Sequence, residues 1–175
     1  MTPNEKLEAR TRGPRANMNW PELHKPENAP LYAQNQLQIA APPATVWAWL
    51  TRADLWSSLY ENATDVEFVV WPGPSLRAGS VFRWSTFDFR LTSTVHDFEP
   101  ERRLAWIAIG PGVDAYHTWF LEPTADGGTL LITDETQIST LGIWATDGFT
   151  EGLIEQHDLW LQGLAKAALT GLPKN

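Results

Sequence analysis

The chain has 175 residues, 43% of them hydrophobic and 19% charged, with a formal net charge of −8; this suits one domain with a real core and excludes a disordered acidic chain. Its negative field repels phosphate backbones, so no nucleic-acid partner is expected. Cysteine is absent, which excludes disulfides, thiolate metal sites and cysteine nucleophiles.

Residues 1–33 carry Pro3, Pro14, Pro21, Pro26 and Pro30 without sustained periodicity and read as an extended or partly ordered arm, with Trp20 a candidate anchor onto a body at residues 34–175. No apolar stretch follows the early charges, so a signal peptide is not expected and the expected address is cytoplasmic. From Gln34 to Ala40, Leu37 and Ile39 alternate with Gln36 and Gln38, the period of a half-buried strand. Pro42 and Pro43 end that strand and suit the first turn of a helix, on which Val46, Trp47 and Leu50 share a face. The stretch Ile39 to Leu50 is the most apolar, but it falls short of the ~20 residues a bilayer requires, so no membrane insertion is expected. Asp54 is placed to cap a further turn carrying Leu55, Trp56, Leu59 and Tyr60.

Runs rich in β-branched and aromatic residues follow at Val66–Trp71, Ser80–Phe87, Phe89–Phe98, Leu104–Ile109, Ala115–Leu121 and Thr129–Ile138, divided by short Pro/Gly-rich connections. Such connections allow hairpins and exclude parallel crossovers, so the expected sheet is antiparallel, with about seven strands counting the first. The last element is a long helix from Phe149 to Leu169 with Phe149, Leu153, His157, Trp160, Leu164 and Ala168 on one broad face. A sheet with one dry face and one long amphipathic helix bury each other.

The order of elements and the phrases Ile39-Ala-Ala-Pro-Pro-Ala-Thr-Val-Trp-Ala-Trp-Leu50, Leu55-Trp56 with Tyr60, Gly79-Ser-Val-Phe-Arg-Trp84, Phe98-Glu-Pro-Glu-Arg-Arg-Leu-Ala-Trp106 and Gly127-Gly-Thr-Leu-Leu-Ile-Thr-Asp-Glu135 carry a further signal. Together, over about residues 34–170, they resemble the START-like or SRPBCC superfamily, in particular its polyketide cyclase/dehydrase-like branch. The resemblance implies an α+β helix-grip fold, a curved sheet around the C-terminal helix with a hydrophobic cavity between them. Members of that superfamily include lipid or hormone carriers, cyclases, dehydratases, ring-hydroxylase components and chaperone-binding modules, so the fold constrains the ligand class more than the chemistry.

Strand phase puts Ala115, His117, Trp119 and Leu121 on one face, taken as inward, and Tyr116, Thr118 and Phe120 on the other. A three-residue turn Ala125-Asp126-Gly127, with Gly127 left-handed, sets His117 opposite Glu135; a two-residue Asp126-Gly127 turn shifts the register and separates them. Paired, they form either an acid/base dyad, with His117 moving a proton and Glu135 orienting it, or a buried polar pair that only shapes the pocket. His157 on the long helix meets the cavity from the other side or serves as a core or rim histidine. Trp56, Tyr60, Trp84, Trp106, Trp119 and Trp160 are candidate walls, Tyr60 with a hydroxyl to offer, and packing alone accounts for the tryptophans equally well.

The histidines, four in all, are not clustered along the chain, so no metal site is expected, and no nucleotide, hydrolase or metalloprotease motif is present, so no cofactor is expected. The expected function is binding of a small hydrophobic or aromatic molecule, with cyclase or dehydratase chemistry as its enzymatic form. The alternatives are a non-enzymatic carrier or sensor of lipid-like molecules and a protein-interaction module; oligomeric state is open.

Overall fold

Residues with period-2 apolar patterning fall into β1 (Leu31–Ile39), β2 (Thr64–Val70), β3 (Val81–Thr86), β4 (Phe89–Glu99), β5 (Arg103–Gly110), β6 (Val113–Pro123) and β7 (Thr129–Gln137). They form one seven-stranded antiparallel sheet in the order β1-β7-β6-β5-β4-β3-β2. This is a computed structural model, and it describes residues 17–139 and 148–174. The helices are α1 (Pro43–Thr51), α2 (Trp56–Leu59) and the long α3 (Phe149–Ala168).

Local chemistry accounts for the boundaries. Pro42 is extended and Pro43 opens α1, where a missing N–H removes no intrahelical bond. Asp54 does not act as the expected cap: it lies inside a 3-10 turn, Ala53–Leu55, and its carboxylate takes both Arg52 Nε and Nη2 at 2.8 Å. A bidentate guanidinium is the stronger partner for a carboxylate than one backbone N–H. β1 starts at Leu31 rather than Gln34, with Leu31 and Ala33 buried in continuation of its inward phase.

The inner face of the sheet and the stripe Leu153, His157, Trp160, Leu161 and Leu164 of α3 enclose the main core. The outer face is dry as well where Met18 and the ring of Trp20 lie on Ala105, Tyr116, Phe120 and Ile132. Tyr116 Oη donates to Asn19 O at 3.1 Å and Thr136 Oγ1 to His24 O at 2.9 Å, which fastens the segment before β1 across the strands. Strand alternation therefore marks two cores at β6, not a core and a solvent face. No helix among the described residues is long and apolar enough to cross a membrane.

α3 approaches α2 so closely that a Cβ on Gly163 would lie 2.0 Å from Leu59 O, whereas one on Gly152 of the same helix would meet nothing within 4 Å. Alanine favours helix by ~1 kcal/mol over glycine, but overpacking against backbone costs ~1–3 kcal/mol. Gly152→Ala is expected to raise the urea unfolding midpoint and Gly163→Ala to lower it. Shifts of the same sign would contradict this packing.

Candidate functional site

The site begins at a turn. Gly127, at φ 83°, donates its N–H to Thr124 O at 2.9 Å, and Thr124 N donates to Gly128 O at 3.0 Å, closing three residues between β6 and β7. A positive φ of this kind is open to glycine without steric penalty. The resulting register sets His117 opposite Glu135. His117 Nδ1 lies 3.2 Å from Glu135 Oε2, and His157 on α3 brings its Nε2 to 3.1 Å from the same oxygen. Gln137 Nε2 donates to Glu135 Oε1 at 2.8 Å. His117 Nε2 lies 2.8 Å from Thr133 Oγ1, whose hydroxyl donates to Thr118 O at 2.9 Å. His117, Glu135 and His157 are all buried, and their ligand-competent atoms lie within 4.8 Å of one another. The chain order disperses these groups; the fold gathers three of them.

Burial dominates the electrostatics. It pushes the His117 imidazole down to about 3, with Glu135 opposing the shift and His157 adding to it. Burial also raises the proton affinity of Glu135, but the His157 hydrogen bond, the charge interactions with His117 and His157 and the Gln137 hydrogen bond outweigh it, holding the carboxyl below its ordinary value. Among the described residues, no Lys or Arg lines this cavity.

Aromatic rings surround the polar floor. Tyr60 stacks on Trp160 with ring centroids 5.0 Å apart, and Trp160 meets Trp84 at 5.8 Å and Trp106 at 6.3 Å. The sequence predicts a hollow here; the indoles fill most of it, leaving about 30 Å³. Of the predicted residues, Tyr60, Trp84, Trp106, His117, Glu135, His157 and Trp160 line that space. Trp56 and Trp119 are not among the lining residues. Trp56 is fully buried behind Trp84, Trp106 and Trp160, its indole N–H bonded to Leu50 O at 2.9 Å. Trp119 stacks on His117 at 5.0 Å and 18°, backing the imidazole. The Tyr60 hydroxyl is engaged by Gln156 and Asn62 at 3.2 and 2.9 Å.

Sequence reasoning passed over Thr133 and Gln137, although period 2 from Glu135 along one strand places both on its face. It also passed over Phe87. Phe87 and Asp88 form the two-residue tip between β3 and β4 with φ of 49° and 63°, a conformation in which a bulky residue is uncommon. That tip brings the Phe87 ring into the cavity lining, against Phe149 at 6.0 Å, while its N–H donates to Asn62 Oδ1 at 2.6 Å.

A seven-stranded antiparallel sheet closed by a long C-terminal helix defines the helix-grip class. The chain belongs to the polyketide cyclase / dehydrase and lipid transport family, whose family model matches residues 33–174. No curated protein matches it. Among solved structures it is similar to a hypothetical protein, jhp0584, from Helicobacter pylori, at 22% identity and TM-score 0.79, covering 86% of this chain and 95% of that one. It is similar to the protein TTHA0849 from Thermus thermophilus at 20% identity and TM-score 0.64, covering 80% and 98%. It is also similar to the ZhuI aromatase/cyclase from Streptomyces sp. R1128 at 16% identity and TM-score 0.65, covering 82% and 99%. At these identities the likeness is one of fold.

The lowered His117 value has a sign that can be measured. Between about 6.5 and 3 the unfolded chain binds a proton at this position and the folded chain does not, so stability is present above that window and lost as pH falls through it. Glu135, held below its usual 4.5, adds an acid loss of the same sign. His117→Gln is expected to remove a slope approaching ~1.4 kcal/mol per pH unit within the window. Urea titrations of wild type and variant from pH 7.5 to about 4 should therefore diverge in slope; parallel curves would refute the assignment.

Proposed function

We propose that the chain binds a small aromatic or apolar molecule whose polar group meets the His117, Glu135 and His157 floor. The observation that carries this reading is the floor itself: three buried polar groups gathered under aromatic walls, where packing alone would favour apolar contacts. Two wall residues add hydrogen-bonding capacity, because Trp106 Nε1 and Trp160 Nε1 are buried without a partner among the described residues. Such donors suit a guest carrying a carbonyl or hydroxyl oxygen.

The space of about 30 Å³ holds roughly two waters at ~10–15 Å³ each, so a larger guest requires the walls to move. Tyr60 is the partition most directly placed to do so, since it lines both this cavity and an outer groove of about 560 Å³ formed with Leu59, Glu61, Asn62, Gln156 and Leu159. Asn62 bonds both Tyr60 and Phe87 and so ties the partition to the mouth.

Turnover by proton transfer, of the cyclase or dehydratase kind, draws support from the family description and from the aromatase/cyclase among the structural neighbours. The low basicity of His117 favours the second reading, a carrier that holds its guest unchanged, because efficient general bases titrate near the working pH.

Titration with naphthalene and 2-naphthol, followed by tryptophan fluorescence, tests the floor. The hydroxyl is expected to tighten binding roughly tenfold, the worth of about one well-made buried hydrogen bond, and Glu135→Gln to reduce that preference. Equal affinities in wild type, or a preference unchanged in the variant, would remove the floor from the function. Tyr60→Ala is expected to speed association several-fold in stopped flow if Tyr60 is the partition; an unchanged rate would place access elsewhere.

A further inference from the structure

We propose that His117, Glu135 and His157 form a site for one divalent transition-metal ion, Zn²⁺ or Fe²⁺, with Thr133 and Gln137 orienting the ligands. The ion would add to the floor described above, but the inference stands on the geometry of the side chains and not on the guest.

Hydrogen-bond directions carry the argument. The Thr118 carbonyl only accepts, so the Thr133 hydroxyl proton points to it across 2.9 Å. Thr133 Oγ1 then accepts from His117 across 2.8 Å, which places an imidazole proton on Nε2. A neutral His117 therefore turns the lone pair of Nδ1 toward Glu135 Oε2 at 3.2 Å, acceptor facing acceptor. Reversing Thr133 only moves the conflict, because its oxygen would then face the Thr118 carbonyl with no proton between them. A cation among His117 Nδ1, Glu135 Oε2 and His157 Nε2 resolves the conflict once the His157 proton sits on Nδ1 rather than Nε2. A proton between the two groups, on His117 Nδ1 or on the Glu135 carboxyl, also resolves it, and the experiment below separates the ion from the proton. His157 Nδ1 has no partner among the described residues in either case.

Distances and ligand types agree with the ion. Tetrahedral bonds of ~2.0–2.2 Å put ligand atoms ~3.3 Å apart; the two pairs that share Oε2 stand at 3.2 and 3.1 Å, and the two imidazoles close the triangle within 4.8 Å. Each ligand-bearing group on the sheet is held from its far side, His117 by Thr133 and the carboxylate by Gln137 through Oε1, the arrangement by which outer partners fix metal ligands. Two imidazoles and one carboxylate with an open position suit Zn²⁺ or non-haem Fe²⁺. The open side faces the cavity, whose 30 Å³ admits a bound water.

Full-length protein stripped with chelator and dialysed would be titrated with ZnCl₂ by calorimetry and with CoCl₂ by visible absorption, neither of which needs a guest. Uptake of one ion per chain is expected, with Co²⁺ showing the absorption of a low-coordinate site. Glu135→Gln should abolish stoichiometric uptake, and Thr133→Val, which keeps all three ligands, should weaken it ~10–100-fold. His96→Ala, on the outer face beside Tyr116, should leave it unchanged. Folding of each variant is checked by circular dichroism. Failure of folded wild type to take up one ion, or equal uptake by Glu135→Gln, would overturn the proposal in favour of a proton shared by His117 and Glu135, and would leave the guest reading standing.

Discussion

The pairing of β6 with β7 is the constraint on which the site depends. Gly127 in the left-handed region closes a three-residue turn, and the register it sets continues without interruption from Pro123 and Thr129 to Ala115 and Gln137. A slip of one residue would send the partners of a strand to the opposite face, moving His117 to the outer core occupied by Tyr116 and Phe120. Because Thr133, Glu135 and Gln137 lie two residues apart on β7, the same register delivers the carboxylate and the groups that orient its surroundings. α3 then needs to supply only His157.

The tryptophans serve stability and restrict volume together. Each large ring removes ~150–250 Å² from water and gains a further ~0.5–1.5 kcal/mol from edge or offset contacts; Trp56 alone meets Phe82, Trp84, Trp106 and Trp160 at 5.2–5.6 Å. The same crowding leaves the inner space small. The interior is close to a filled core with a polar floor, and Tyr60 lines both that space and the wider groove outside.

The strand and helix pattern was legible in the sequence because period 2 and period 3.6 dominate it: β4 begins at Phe89 and β7 at Thr129 as the residues suggest, and α3 spans Phe149–Ala168. The facing of His117 and Glu135 was legible as well, conditional on a turn type that glycine makes easy. Strand phase could not reveal that the outward residues Tyr116 and Phe120 are buried, since their cover comes from Met18 and Trp20, distant in sequence. Nor could it divide the tryptophans into those that line the cavity and those that stand behind them, because whether Trp56 on α2 or Trp106 on β5 reaches that space is set by tertiary packing. The meeting of His157 with Glu135 depends on how α3 sits against the sheet, a distance no periodicity encodes.

The β3–β4 tip separates two properties that most enclosed sites entangle. Phe87 and Asp88 hold their left-handed conformations at the hairpin end, while His117, Glu135 and His157 sit on β6, β7 and α3. Exchange of these two tip residues for ones that relax the hairpin would reshape the cavity lining at Phe87 without touching the β6–β7 register. Selection can therefore alter one side of the cavity lining while conserving the polar groups on the other, a division that lets one scaffold change in small steps.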